Sequence, residues 1–170
     1  MALHVLRPIR VEGQVAYVPL TQGHEATIDA ADVHLVEGFN WRALVTSSAV
    51  YAVRTDCSGQ KQRKIYLHRV IMGDPESVYV DHRDSDGLNN RRGNLRAATR
   101  SQNNHNSRVR TDNTSGIKGV VWHKPRGKWA ARIKLNGKNR HLGLFRCPTA
   151  AALAYAKASR ALHGEFGRVA

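Results

Sequence analysis

Four polar side chains between positions 81 and 103 combine a proton acceptor with oxygen donors. They are the adjacent pair Asp81 and His82, then Asn94, and then Asn103. Hydrolysis of a phosphodiester bond needs a group that activates water and a cation that neutralises the charge developing on the phosphate. The imidazole of His82 has an ordinary pKa suited to the first task near neutral pH. This segment therefore predicts phosphodiester hydrolysis with His82 as the general base.

Oxygen donors dominate the metal site that we predict. Asp81 offers a carboxylate and Asn103 an amide carbonyl, and His105 is the alternative second ligand. Oxygen ligands without a thiolate favour Mg²⁺ or Mn²⁺ over structural zinc. The two cysteines, Cys57 and Cys147, lie far apart and form no C-x-x-C pair, so neither a disulfide framework nor a cysteine zinc site is indicated.

The stretch between the two ends of this motif is rich in amide and guanidinium groups. Asn94 has two donors and an acceptor, so we expect it to tie the loop to its flanking strands and to help orient His82. Arg91, Arg92 and Arg96 are candidates to hold neighbouring DNA phosphates.

Strand, loop, strand and helix are the elements that this spacing predicts around the motif. Residues 78–80 predict a strand, a polar loop follows, and residues 94–97 can form a second strand. Thr99 followed three residues later by Gln102 is a capping box, which indicates a helix start. The result is a ββα unit with Asn103 on its helix.

Positive charge is concentrated at the C-terminal end of the chain. The net charge is +14; residues 1–99 hold 12 Lys and Arg against 11 Asp and Glu, whereas residues 100–170 hold 15 against 2. Such asymmetry costs self-repulsion in the folded state and indicates a polyanionic partner. Charge alone leaves a solvated basic surface and an RNA-binding protein as alternatives.

Three strands are predicted in the basic region. They cover residues 118–124, 129–135 and 140–145, and Asn136-Gly137 is a strong signal for a type I′ hairpin turn. On the middle strand, alternation places Trp129, Ala131, Ile133 and Leu135 on one face, and Lys128, Ala130, Arg132 and Lys134 on the other. The second face is therefore cationic and suited to DNA. For Trp122 on the first strand, the sequence favours a core position and a DNA contact equally.

A helix is predicted after the third strand. Thr149 can cap its start, and Gly164 can end it after about His163. Small residues at helical spacing would let this helix lie close against the sheet. They are Ala151, Ala154, Ala158 and Ala161.

Residues 66–106 resemble the HNH endonuclease family, in the branch found in phage and intron homing endonucleases. Asp81-His82 matches the first motif position, Asn94 the central asparagine, and Asn103 the last metal ligand, where asparagine replaces the more common histidine. The resemblance implies a ββα-metal fold, one catalytic divalent cation, and products that carry a 5′-phosphate and a 3′-hydroxyl.

Residues 116–167 resemble the plant ethylene-response-factor, or Apetala-type, DNA-binding domain. The resemblance rests on residues 116–120, 127–133, 142–145 and 151–155. That family lays its three-stranded sheet in the major groove, so the resemblance implies double-stranded DNA as the partner. The contacts carried over by position are Lys118, Trp122, Lys124, Lys128, Arg132, Lys134 and Arg140.

The expected organisation is an α+β chain in four parts. These are an N-terminal β-rich scaffold at 1–65, the nuclease unit at 66–106, a linker at 107–115, and the DNA-binding domain at 116–167. No stretch has the ~20 apolar residues that span a bilayer, and residues 1–20 lack a signal peptide's apolar core. We therefore expect a cytoplasmic protein, encoded by a phage or prophage and acting on DNA in a bacterial host.

Two functions from different classes follow from these features. The first is a site-preferring DNA endonuclease, and the second is a non-catalytic transcription regulator with a silent nuclease fold. Every expected active-site position carries a competent side chain, which favours the endonuclease. One site per chain makes a monomer that nicks DNA by default, whereas double-strand cleavage would require a dimer or sequential attack.

Several polar residues near the motif are assigned structural roles by the sequence. We expect His68, which lies in an apolar run, to be packed or hydrogen-bonded rather than catalytic. Asn89 and Asn90 are interpreted as loop formers, and His123 and His141 as surface or DNA-proximal residues.

Overall fold

The computed structural model describes residues 5–75, 78–110, 112–135 and 137–169. The chain divides into two compact units, Met1–Ala98 and Thr99–Ala170. Several small antiparallel sheets and few helices make up the described part of the chain, which confirms the predicted mixture of α and β structure. Within that part, no helix is long and apolar enough to cross a membrane. The four-part domain division stays a prediction.

The first unit consists of short strands with one α-helix among its described residues. The strands are β1 Arg10–Glu12, β2 Val15–Pro19, β3 Glu25–Asp29, β4 Arg42–Val45, β5 Val50–Asp56, β6 Arg63–Tyr66, β7 Tyr79–His82 and β8 Leu95–Ala98, and the helix is α1 Leu67–Ile71. They pair antiparallel in the orders β1-β2-β3, β4-β5-β6 and β7-β8. β4 and β5 form a hairpin, in which Val45 lies opposite Val50. Between β3 and β4 lies a 3-10 segment, Ala30–Leu35.

One apolar core joins the N-terminal strands to the predicted nuclease strands. Ala16 and Val18 alternate inward on β2, as the period of two predicts for a half-buried strand. The same core includes Leu67 of α1, Val80 of β7 and Leu95 of β8. Residues 1–65 thus serve as the packing surface against which α1, β7 and β8 are fixed.

The second unit contains a three-stranded sheet and two α-helices among its described residues. They are α2 Arg100–Asn106, β9 Val120–His123, β10 Lys128–Leu135, β11 Lys138–Phe145 and α3 Pro148–His163, with sheet order β11-β10-β9. The three predicted strands and the long helix are therefore present. Leu135 pairs with Lys138, as a two-residue hairpin loop requires. Asn136 of the predicted turn lies outside the described residues.

The start of α3 differs from the prediction. The N-cap residue is Cys147 and Pro148 occupies the first turn, so Thr149 lies inside the helix and the predicted cap at that residue is wrong. Proline suits this position because its fixed φ is helical and its missing N–H would have no helical partner there. Gly164 does end the helix, with φ of +53°.

The buried face of α3 also differs in detail from the predicted alanine face. Ala151, Tyr155 and Ser159 are buried at a spacing of four, whereas Ala161 is exposed. The fully buried face of α3 is therefore one narrow stripe along the helix.

Gly119, just before β9, lets the sheet approach α3 closely. Its φ is +72°, and a Cβ atom at this position would lie 2.1 Å from the Tyr155 ring and 2.7 Å from the Arg132 carbonyl oxygen. Any larger residue would have to push α3 away from the sheet. Glycine at position 119 is therefore required by the helix–sheet packing and by the positive φ.

Candidate active site and nucleic-acid interface

The β7–β8 ribbon positions Asp81 and His82. β7 ends with these two residues, and the antiparallel register places Asp81 opposite Arg96 and His82 opposite Leu95. Both side chains are buried, at 4% and 6% exposure. The predicted order of strand, loop, strand and helix is present, since α2 follows β8 after Thr99.

Arg96 forms an ion pair with Asp81 across the ribbon. Its Nε and Nη2 atoms both lie 2.8 Å from Asp81 Oδ2, and the Arg96 side chain is 7% exposed. A buried carboxylate is costly without such a partner, so the pair fixes the position of Asp81. In this structure the Arg96 guanidinium binds Asp81. The contact of Arg96 with a DNA phosphate stays a prediction.

Asn90 contacts the imidazole of His82. Asn90 is fully buried, and its Oδ1 lies 3.4 Å from His82 Nε2. Its Nδ2 donates to the Leu88 carbonyl at 2.9 Å, which orients Oδ1 toward the ring. Because a carbonyl oxygen can only accept, Nε2 must carry the proton, and Nδ1 then holds the basic lone pair.

Two aromatic rings pack against His82, and a third packs behind them. The ring of His68, on α1, makes an edge contact with His82 at a centroid distance of 5.1 Å, and Tyr51 of β5 lies 6.1 Å away. Tyr66 in turn packs on His68 at 5.3 Å. Gly87 allows the loop to pass Tyr51, because a Cβ atom there would lie 2.7 Å from the Tyr51 ring. His68 is packed, as predicted.

Burial controls the charge of both histidines. Burial, followed by the proximity of His82, lowers the pKa of His68 to about 3, and its buried Nδ1 has no hydrogen-bond partner among the described residues. Burial also lowers the pKa of His82, although the hydrogen bond to Asn90 and the nearby Asp84 carboxylate oppose that shift. His82 is therefore neutral at neutral pH and able to accept a proton.

Asn94 organises the loop between the two strands. Its Nδ2 donates to Asp84 Oδ1 at 3.0 Å and to the Asn89 carbonyl at 2.8 Å, and its Oδ1 accepts from the Asp84 N–H at 3.1 Å. The structure thus bears out the expectation that Asn94 ties the loop together. The amide that contacts His82, however, belongs to Asn90.

Arg91 and Arg92 pair with acidic residues of the N-terminal strands. Arg91 Nε lies 2.9 Å from Asp29 Oδ1, and Arg92 Nε lies 2.9 Å from Asp32 Oδ2, where Asp32 is buried. These pairs anchor the loop to the scaffold. Their proposed contacts with DNA phosphates remain predictions.

Asn103 and His105, the two candidates for the last ligand, lie on α2 in the second unit. The capping box at the start of α2 is present: Gln102 N–H donates to Thr99 Oγ1 at 3.2 Å, and Thr99 N–H donates to Gln102 Oε1 at 2.8 Å. Asp81, His82 and Asn94 lie in the first unit. Among the described residues there is no cluster of three or more His, Cys, Asp or Glu side chains that could hold a metal ion.

One face of the C-terminal sheet carries exposed cations. Lys128, Arg132 and Lys134 are exposed, whereas Ala131 and Ile133 between them are buried toward α3. The predicted alternation on β10 is therefore confirmed for these residues. Ala130, predicted on the outward face, is fully buried.

The strand register separates Trp122 and Arg140 from that cationic face. Trp122 lies directly opposite Trp129, with ring centroids 5.0 Å apart, and Arg140 lies opposite Ile133. Directly opposed residues share a face, so both lie on the side of the sheet that packs on α3. Trp122 remains substantially exposed there. Lys124 is exposed in the 3-10 turn that follows β9.

Lys118 is engaged by backbone carbonyls. Its ammonium donates to the His105 carbonyl at 2.6 Å and to the Ser107 carbonyl, and burial lowers its pKa to about 8. Lys118 was predicted to contact DNA, and no observation tests that contact.

Sequence analysis missed the contact of Asn90 with His82 and did not identify the ring partners of His68. Asn90 stood among several loop amides, and no local pattern distinguishes the one that faces His82. The position of His68 in the apolar run at 67–71 indicated that its side chain is buried, but not which aromatic ring it contacts.

Comparison with known proteins identifies the family. Residues 66–105 match the sequence model of a family described as HNH endonuclease. Protein 3.8 of Escherichia phage T7 is 35% identical over 94 residues, which cover 55% of this chain and 77% of that protein. An uncharacterised HNH endonuclease of Acanthamoeba polyphaga mimivirus is 32% identical over 109 residues, which cover 61% of this chain and 56% of that protein.

The family match concerns the predicted nuclease segment. No solved structure is significantly similar to the chain. The chain spans just over half the length of the mimivirus protein. The resemblance of residues 116–167 to the ethylene-response-factor domain has no support from these comparisons. Since the family match covers the Asp81-His82 and Asn94 motif, the chain belongs to the HNH endonuclease family and is a DNA-cleaving hydrolase.

Proposed function

We propose that this protein is a divalent-metal-dependent endonuclease that cleaves double-stranded DNA near a site bound by its C-terminal unit. The contact between Asn90 Oδ1 and His82 Nε2 carries the catalytic part of this proposal. It leaves the lone pair on Nδ1, and the lowered pKa keeps that nitrogen unprotonated at neutral pH. His82 Nδ1 then takes a proton from the water that attacks the phosphorus atom, while the bond from phosphorus to the 3′-oxygen breaks and the leaving oxygen takes up a proton from solvent.

Asp81 and Asn103 are the residues that we propose as metal ligands. A carboxylate and an amide carbonyl are hard donors, which suits Mg²⁺ or Mn²⁺, and such ions keep several water molecules when few protein groups bind them. When bound, the cation would neutralise charge on the phosphate. Arg96 holds the Asp81 carboxylate in place.

DNA phosphates have plausible partners in both units. Arg91 and Asn94 line a pocket of about 320 Å³ on the loop of the first unit. In the second unit, Lys128, Arg132 and Lys134 form an exposed cationic face without interspersed acidic side chains on β10. Phosphate contacts of this kind supply much of the affinity for duplex DNA, and strands can read the major groove. We propose that this face sets where the nuclease acts.

The relatives suggest the setting in which the enzyme acts. Phage and giant-virus proteins carry similar sequences, so we propose that the chain processes or invades DNA during infection, as a homing or phage nuclease. With one site per chain, a monomer cuts one strand at a time.

Plasmid cleavage tests the proposal. Supercoiled DNA is incubated with Mg²⁺ or Mn²⁺ and with wild-type protein, His82→Ala, or His34→Ala as a matched control, because His34 is exposed on the scaffold. We expect nicked circles from wild type and His34→Ala, none from His82→Ala, and no cleavage in EDTA. Equal inactivity of wild type and His82→Ala with retained DNA binding would indicate the silent-nuclease regulator instead.

A further inference from the structure

Lys118 contacts the C-terminal end of α2. Helix carbonyls at this end have no N–H partner within the helix, and cations stabilise them. The Lys118 ammonium donates to the carbonyls of His105 and Ser107, which are in the last turn and at the C-cap. Lys118 therefore provides the C-terminal cap of the helix that carries Asn103.

His163 supports the same helix from α3. Its ring stacks on that of His105 at a centroid distance of 3.5 Å and an interplanar angle of 17°. The adjoining 3-10 turn, Gly164–Phe166, also packs against α2 and buries Phe166. α2 is thereby built into the same compact unit as the cationic sheet.

A helix of this length depends on such contacts. α2 has only seven residues, and isolated helices shorter than about 12 residues are marginal in water. The capping box secures its start, while Lys118 and His163 secure its end. Loss of either end would let the turn that carries Asn103 fray.

We propose that Lys118 is a positioning residue that seats α2, and with it Asn103, on the DNA-binding unit. This inference rests on the proposed function, because it assigns Asn103 to the metal site. It differs from the direct DNA contact that the ethylene-response-factor resemblance implies for Lys118.

Three lysine variants separate these roles. In Lys118→Met we expect kcat to fall about 10- to 100-fold, the range for groups that orient metal ligands, with a higher Mn²⁺ concentration needed for half-maximal rate. The Kd for DNA should stay within about twofold. Lys134→Met removes a cation from the exposed sheet face. In this variant we expect Kd and KM to change instead. Lys157→Met, on the outer side of α3, should change neither constant.

Amide exchange gives a readout that does not require cleavage. Lys118→Met should accelerate hydrogen exchange at residues 100–106 relative to wild type, and Lys118→Arg, which keeps a cationic donor, should restore much of the protection. Circular dichroism checks that each variant is folded. The proposal is overturned if Lys118→Met weakens DNA binding as Lys134→Met does, or if exchange in α2 is unchanged. If wild type itself does not cleave, the proposed function fails, and the exchange result still decides the role of Lys118.

Discussion

Arg96 Nε lies 2.8 Å from Asp81 Oδ2, and both side chains are almost completely buried. Removing one partner of such a pair leaves an uncompensated charge in the protein interior. We expect Arg96→Met to reduce the free energy of unfolding of the first unit by about 3–5 kcal/mol, as measured by urea denaturation.

An exposed ion pair provides the comparison. Arg63→Met removes the contact to Asp74, where both side chains are exposed, and should cost at most about 1 kcal/mol. A result in which Arg96→Met keeps full stability but loses DNA affinity would show that Arg96 contacts phosphate instead.

His68 should make the stability of the first unit depend on pH. Its pKa is about 3 in the folded protein and near 6.5 when unfolded, so the unfolded chain takes up a proton first as the pH falls. The stabilisation from neutral His68 is complete above pH 6.5 and is lost as the pH falls from 6.5 toward 3. In this window the slope is about 1.4 kcal/mol per pH unit for one proton.

His68→Phe isolates that contribution. Phenylalanine keeps a ring against His82 but cannot be protonated. Urea unfolding at pH 7 and pH 5 should therefore show a smaller loss of stability in His68→Phe than in wild type. Equal losses in both proteins would mean that His68 is not the group that titrates.

Sequence reasoning predicted the elements of the fold whose signals are local. The capping box at Thr99 and Gln102 needs only two residues at a fixed spacing, and it is present. The strand pattern of β10 likewise follows from alternation along the chain. In contrast, the cap at Thr149 was wrong because Pro148 competes for the start of α3, and the helix begins two residues earlier than a cap at Thr149 would give.

The partners of the site residues could not be predicted in the same way. Arg91, Arg92 and Arg96 look alike in sequence, yet their contacts are with Asp29, Asp32 and Asp81. Those contacts span 62, 60 and 15 positions along the chain and depend on how β3 and β8 are placed. The choice of Asn90 over Asn94 for His82 depends likewise on the loop conformation, which tertiary packing selects.

Asn90 should control the pH dependence of cleavage. Because burial lowers the pKa of His82, we expect wild-type kcat/KM to stay high as the pH falls to 6.5 and to decline only below it. Asn90→Asp places a carboxylate beside Nε2 and favours the imidazolium, so the acidic limb should move to higher pH. Cleavage of a labelled duplex between pH 5 and 8 measures this. An unchanged limb in Asn90→Asp would exclude the contact between Asn90 and His82 from the mechanism.

The cationic sheet face should determine the salt dependence of DNA binding. Each phosphate contact releases counterions, so removing one cation from the interface is expected to lower the slope of log Kobs against log salt by about 1. Lys128→Ala, Arg132→Ala and Lys134→Ala remove exposed cations of β10, whereas Lys157→Ala on α3 serves as the control and should leave the slope unchanged. Fluorescence anisotropy from 50 to 200 mM salt measures these slopes. If Lys157→Ala lowers the slope while the β10 variants do not, the DNA lies on the helix side and the proposed sheet face is not the interface.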